Sequence, residues 1–337
     1  MMRRALSFFT SPQFLALLGV LLINWLLFPN FFQVTWQDGR FFGSVIDVIN
    51  RGAPVAILAI GMTGVIATKG VDLSVGAVMA VSGAVAATLV VAGYPAPIAV
   101  LAALSVGVLC GLWNGFLVAV LDIQPIVATL VLMVAGRGIA QLITEGSIVT
   151  FNDPLLIFIG TGSFLGLPMA AVIAIALMVL VTLFVRRTAV GLFIEAVGVN
   201  RAAASLAGIR SRMLLFLVYG LSGFCAAVAG IIVAGDIRGA DANNAGLWLE
   251  LDAILAVVIG GTSLLGGRFS VPMAVVGALI IQAMNTGILV SGFRPEFNLI
   301  VKAGMIILIL LVQSPFATRL VPNRPKPVAT TRKAVQR

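Results

Sequence analysis

Apolar residues run through this chain in long blocks rather than in alternation, and between Phe14 and Val312 no polar interval is large enough to fold separately. A helix needs about 20 mainly apolar residues to cross about 30 Å of hydrocarbon. By that measure the blocks predict about ten segments, near residues 13–29, 52–68, 74–93, 97–121, 125–143, 167–185, 213–235, 251–266, 271–291 and 298–316. Two are expected to fall short of a simple crossing. The segment at 52–68 runs almost straight into the next, and that at 251–266 is short and interrupted by Gly260, Gly261, Gly266 and Gly267. The expected fold is an all-α integral membrane protein, a polytopic bundle of about 8–10 transmembrane helices with discontinuous or re-entrant segments.

Composition agrees with this pattern. Of 337 residues, 61% are hydrophobic and only 10% charged, against about 25% charged in ordinary globular chains. Residues 1–318 read as one transmembrane domain, and 319–337 as a basic tail whose Pro322, Pro325 and Pro327 do not favour independent folding. The start has a charged end and an apolar core, but no small-residue cleavage site follows, so it reads as the first membrane helix. With no histidine, the chain lacks the commonest metal ligand and general base, and no catalytic residue, metal site or cofactor is expected. Cys110 and Cys225 lie inside apolar runs, where a thiol packs as a small hydrophobe.

The net charge of +9 does not call for nucleic acid, because the basic residues cluster between and beyond the apolar runs. Threading ten segments from an inside N-terminus places 15 of the 21 Lys and Arg on the inner side. The positive-inside rule selects that orientation, with both termini cytoplasmic. The same threading puts Asp38, Asp47, Glu145, Asp153, Asp236, Asp241, Glu250, Asp252 and Glu296 near the outer face.

A phosphate-binding loop needs lysine followed by Ser or Thr. The four lysines are followed by Gly70, Ala303, Pro327 and Ala334, so no such ATP site exists in this sequence. An ion-coupled carrier would be expected to hold acids within the membrane. The acids here sit nearly all at segment ends.

Three stretches carry more specific information. Arg186–Arg212 is alanine-rich without internal proline and reads as a short helix across the inner face, the alternative being an amphipathic linker. Lys69-Gly70-Val71-Asp72-Leu73-Ser74-Val75-Gly76 offers Asp72 or Ser74 as a cap for the next helix and glycines for a tight re-entry, with substrate contact as the other reading. The run Asp236–Gly261 is rich in Asn, Asp and Gly before it turns apolar.

Together these stretches resemble the permease subunits of bacterial sugar ABC importers of the ribose and galactofuranose type. The similarity extends through Gln124–Gly138 and Gln282–Gly292, and is weakest at the termini and near 155–185. Where the family pattern has a glycine, this chain has Lys69. The resemblance implies an ATP-driven importer of a monosaccharide, galactofuranose first, ribose or another pentose next, located in the bacterial inner membrane. Outside that class, the reading it displaces is an ion-coupled secondary sugar carrier. It assigns Glu195, Gly198, Asn200, Arg201 and Gly208 to a loop at 186–212 that couples to the ATPase, and Gly70, Asp72, Ser74 and Gly76 to a signature loop. The implied partners are an ABC ATPase with two fused nucleotide-binding halves, a second related permease forming a heterodimer, and a periplasmic sugar-binding protein. The chain itself is expected to perform no covalent chemistry.

Gly107, Gly111 and Gly115 form a doubled GxxxG on one helix face, which suits close helix packing. Trp113, Asn114, Gln282 and Asn285 place an aromatic ring and amides inside apolar helices. They are expected near a sugar path, which needs apolar faces for C–H surfaces and amides for hydroxyls; interhelical hydrogen bonding is the competing reading.

Overall fold

The computed structural model describes residues 11–304 apart from positions 29, 38, 293, 295, 296 and 298, together with residue 307. In chain order the elements are α1 (Pro12–Leu27), β1 (Thr35–Gln37), β2 (Arg40–Phe42), α2 (Ser44–Ala67), α3 (Val75–Val91), α4 (Ala96–Ala119), α5 (Pro125–Ile143), β3 (Val149–Thr150), α6 (Pro154–Thr161), β4 (Ser163–Phe164), β5 (Leu167–Pro168), α7 (Met169–Arg187), α8 (Val190–Val199), α9 (Arg201–Leu206), α10 (Ser211–Ile237), β6 (Gly239–Ala240), α11 (Leu249–Ile259) and α12 (Val271–Val290). Most of the segment expected at 298–316, and all of the tail, lie outside the described residues; 299–304 is helical.

Among the described residues, six helices, α2, α4, α5, α7, α10 and α12, are long and apolar enough to cross a membrane. The segment at 52–68, expected to fall short, is instead the C-terminal part of the 24-residue α2, which begins at Ser44 and continues through Pro54. Proline removes one backbone donor from a helix, a loss that neighbouring helices in a bundle can absorb. The interruption expected at Gly260 and Gly261 does occur. Helix α3, of 17 residues, is short for a crossing, and α11 stops after 11, at Gly260 and Gly261.

Helices α2 and α10 form the centre, 67% and 61% buried over their membrane-length stretches, whereas α7 is only 22% buried and turns its apolar surface outward. With little hydrophobic drive between helices in lipid, small residues and interhelical hydrogen bonds decide which of them meet closely. Where α4 crosses α10, a Cβ added to Gly111 would run into the Tyr219 carbonyl, and one on Gly223 would lie 2.9 Å from the Gly111 Cα. The doubled GxxxG is thus a packing face. Helix α1 is fastened differently: Asn24, buried in an otherwise apolar stretch, donates to the Ala283 carbonyl of α12 at 3.0 Å. The antiparallel pair β3–β6 joins Val149 to Ala240 and Thr150 to Gly239, tying the α5–α6 connection to the end of α10.

Overpacking a close contact costs about 1–3 kcal/mol. Gly111→Leu is therefore expected to lower the thermal unfolding temperature and folded yield in detergent. Gly138→Ala, at a position with nothing within 4 Å of an added Cβ, should change neither.

Candidate functional site

The chain between α2 and α3 folds inside the bundle, so its polar groups must find partners within the protein. Helix α2 ends with Gly70 N–H donating to the Val65 carbonyl and Lys69 N–H to that of Ile66, both at 2.9 Å. This paired ending places Lys69 in the left-handed region, φ 65°. That geometry explains why glycine suits the position. Gly70 is small for another reason: an added Cβ would stand 2.6 Å from the Tyr219 hydroxyl.

Asp72, 1% exposed, gathers the loop around itself. Its Oδ1 accepts from the Ser74 hydroxyl at 2.6 Å, the Ser74 N–H at 3.0 Å and, more weakly, the Asn114 amide at 3.4 Å. Its Oδ2 accepts from the Ser222 hydroxyl of α10 at 2.8 Å. Asn114 also donates to the Ser74 hydroxyl at 2.8 Å. Thr129 of α5 closes the other side, accepting from Leu73 N–H at 3.1 Å and donating to the Val71 carbonyl at 3.2 Å. Helices α4, α5 and α10 are thereby joined to one loop. The expected helix cap does not form: Ser74 precedes α3, but its side chain makes no capping bond and donates to Asp72 instead. A buried carboxylate is the stronger acceptor of that proton.

The loop at 186–212 forms two helices, α8 and α9, where one was expected. Asn200 caps α9, accepting from Ala203 N–H at 3.0 Å, and Gly208 ends it at φ 85°. Gly198 is buried against α2: an added Cβ would strike the Ala67 carbonyl and lie 2.7 Å from Gly267 N, itself bonded to Ala67 O at 2.9 Å. Two side chains complete the attachment. Lys69 donates to the Val199 carbonyl at 3.0 Å, and Arg201 pairs with Asp122 at 3.0 Å. A cavity of about 470 Å³ opens here between Lys69, Gln124, Asn200 and Arg201. Glu195 lines a second, of about 370 Å³, with Arg186 and Phe269. Leu192 and Val199, both 68% exposed, and Leu206, 91% exposed, project from α8 and α9.

Gly76 touches a third region. A Cβ there would meet the Gly246 carbonyl, and the Glu250 carboxylate at 2.6 Å. The turn at 241–248 is held by Arg137 of α5, which donates to the Ala242 and Ala245 carbonyls at 2.9 and 2.6 Å.

The four residues assigned to a path are not equivalent. Asn114 is fully buried at Asp72, whereas its neighbour Trp113, about 100° further round the helix, is 52% exposed and stacks on Phe116 at 6.0 Å. Gln282, 7% exposed, packs beside Gly52 of α2, and half-buried Asn285 donates to it at 3.5 Å. Asn24, Thr129, Arg137, Tyr219 and Ser222 were not singled out from the sequence. Asn24 and Arg137 stand out as polar residues in apolar helices, but Thr and Ser are too common in such helices to signal a partner.

A bundle of membrane-length helices with a buried polar re-entrant loop and a two-helix loop at one end fits a transport permease. The chain belongs to the permease component family of the branched-chain amino acid transport system, whose model matches residues 44–310. Among particular relatives, it is 65% identical over 303 residues to the galactofuranose transporter permease protein YtfT of Escherichia coli (strain K12), covering 90% of this chain and 89% of that one. It is 43% identical over 293 residues to the fructose import permease protein FruF of Bifidobacterium longum, covering 85% and 82%. With the ribose import permease protein RbsC of Escherichia coli (strain K12) the identity is 38% over 308 residues, covering 90% and 93%. No solved structure matches the chain.

Removing one partner from a buried hydrogen bond costs about 1–3 kcal/mol. Asn114→Leu should thus lower melting temperature and yield together with any transport. Ser222→Ala, which removes one donor to Asp72, should cost less. Melting curves and purification yields of the two variants check the order.

Proposed function

We propose that this chain is the membrane permease of an ATP-driven importer for galactofuranose in the bacterial inner membrane, with both termini in the cytoplasm. The observation that carries the reading is the α8–α9 unit. It is anchored to α2 through Gly198 and Lys69, and it presents Leu192, Val199 and Leu206 outward, as a surface for an ATPase requires. The 65% identity to a galactofuranose permease, against 38% to a ribose permease, favours galactofuranose over ribose.

In this reading an ATPase with two fused nucleotide-binding halves docks on Glu195–Gly208, a second related permease completes a heterodimer, and a periplasmic protein delivers the sugar. The chain performs no covalent step. Its work is to pass a hydroxylated ring through apolar surroundings, supplying hydrogen bonds in exchange for water. Trp113 and Asn285, whose side chains reach the surface, face the path directly; Asn114 and Gln282 hold the elements behind them. The 186–212 loop belongs to the domain spanning 1–318, and 319–337 is a cytoplasmic tail.

Proteoliposomes containing the assembled transporter should take up galactofuranose in preference to ribose, and only with ATP. Uptake that survives ATP depletion would indicate an ion-coupled carrier. Glu195→Arg and Gly198→Ala should leave the chain inserted while reducing sugar-stimulated ATP hydrolysis, because the first alters the loop's charge and the second pushes α8 from the Ala67 carbonyl. Unchanged stimulation in both variants would reduce the loop to a linker. Single cysteines at Asn243 and Arg332, in a variant lacking Cys110 and Cys225, should label from opposite sides of the membrane.

A further inference from the structure

The backbone from 241 to 248 is irregular where a helix would ordinarily be needed. Gly246 packs on Gly76, at the start of α3, and Arg137, about two turns inside α5, holds Ala242 and Ala245. The signature loop just before Gly76 bonds to Ser222, near the middle of α10, so this turn reaches well into the bundle. Non-helical backbone at such depth occurs where protein buries it or where it lines a water-filled cavity. Here Ala242 and Gly246 are buried, but Asn243, Asn244 and Trp248 are exposed, Trp248 by 53%.

The turn is also more firmly built than a connection needs. Asp241 accepts from the N–H groups of Asn243 and Asn244 at 3.0 and 3.1 Å and from the Asn244 amide at 2.7 Å. Gln141 donates to the Asn243 oxygen at 2.8 Å, so what Asn243 offers a ligand is its NH2 donor. Trp248 adopts φ 66°, ψ 0°, a left-handed conformation that bulky side chains rarely take and that persists when surrounding structure enforces it. A rigid turn that displays one indole and two amides is pre-organised for binding.

We propose that Trp248, with Asn243 and Asn244, forms a contact platform for the transported sugar, the indole face covering the C–H side of the ring and the amides meeting hydroxyls. This rests on the importer reading above. The turn would serve as a station inside the bundle, supported from behind by Gly76 and Arg137.

The test uses the complete transporter in proteoliposomes. Glycine is at ease at φ 66°, so Trp248→Gly should keep or raise melting temperature and complex yield. It should nevertheless raise the half-saturating sugar concentration roughly two- to tenfold, the range of an aromatic stacking contact. Trp248→Phe, which keeps a ring, should stay near wild type. In a Cys110/Cys225-free background, Asn243→Cys should react with a membrane-impermeant thiol reagent, and galactofuranose should slow the reaction. A competent wild type beside an unimpaired Trp248→Gly would overturn the platform alone, as would a cysteine at 243 that no aqueous reagent reaches. If Trp248→Gly loses yield in step with uptake, the face is a contact between permease chains, and the proposal fails. A wild-type complex that moves no sugar would overturn the importer reading and the platform with it.

Discussion

A carboxylate removed from water must be met by donors, and Asp72 meets that condition without a cation: each of the hydrogen bonds described to it comes from a hydroxyl, an amide or a backbone N–H. The consequences spread because the donors come from different elements. Ser74 is its near neighbour, Asn114 comes from α4 and Ser222 from α10. Satisfying one side chain therefore fixes the separation of two spanning helices and the path of the chain between α2 and α3. Close approach of α4 to α10, through Gly107, Gly111 and Gly223, is the other half of the arrangement. Without that proximity Asn114 and Ser222 could not converge on the same carboxylate.

The loop around Asp72 is continuous with the attachment of α8 and α9. Ala67, the last residue of α2, has its carbonyl bonded to Gly267 N–H and faces Gly198 at close range; two residues on, Lys69 holds Val199. A displacement of α8 has little slack to absorb it before it reaches Gly70 and Asp72. Interiors this tightly packed shift between discrete arrangements rather than deform smoothly. This suits a chain whose energy is to come from a partner's nucleotide cycle.

How much of this was legible in the sequence depended on the kind of signal. The helical membrane class followed from run length and composition, and the GxxxG glycines declared a packing face because backbone contact requires small residues at fixed spacing. The end of α11 was marked by Gly260 and Gly261. The reach of α2 back to Ser44 was not legible, since Asp47, Asn50 and Arg51 lower its apolar signal and Pro54 reads as a break. The importance of Asp72 could be read from its motif, but not the identity of its partners. Ser222 lies 150 residues further along the chain, and no local pattern links them. Likewise Trp113 and Asn114 looked like one polar-aromatic feature, although consecutive helical residues point in different directions.

Backbone strain adds a consideration that contacts alone do not show. Among the described residues, six non-glycine residues have positive φ, and two of these, Lys69 at 65° and Asp122 at 54°, supply the side chains that hold α8 and α9. A left-handed conformation costs an ordinary residue roughly 1–2 kcal/mol. Glycine would remove most of that cost at either position, but it would also remove the ammonium that reaches Val199 or the carboxylate that reaches Arg201. An exposed ion pair such as Arg201–Asp122 contributes only about 0–1 kcal/mol, so that tether does not repay its strain by strength alone. What both residues provide is direction. They fix where the short helices sit against Ala67 at the end of α2.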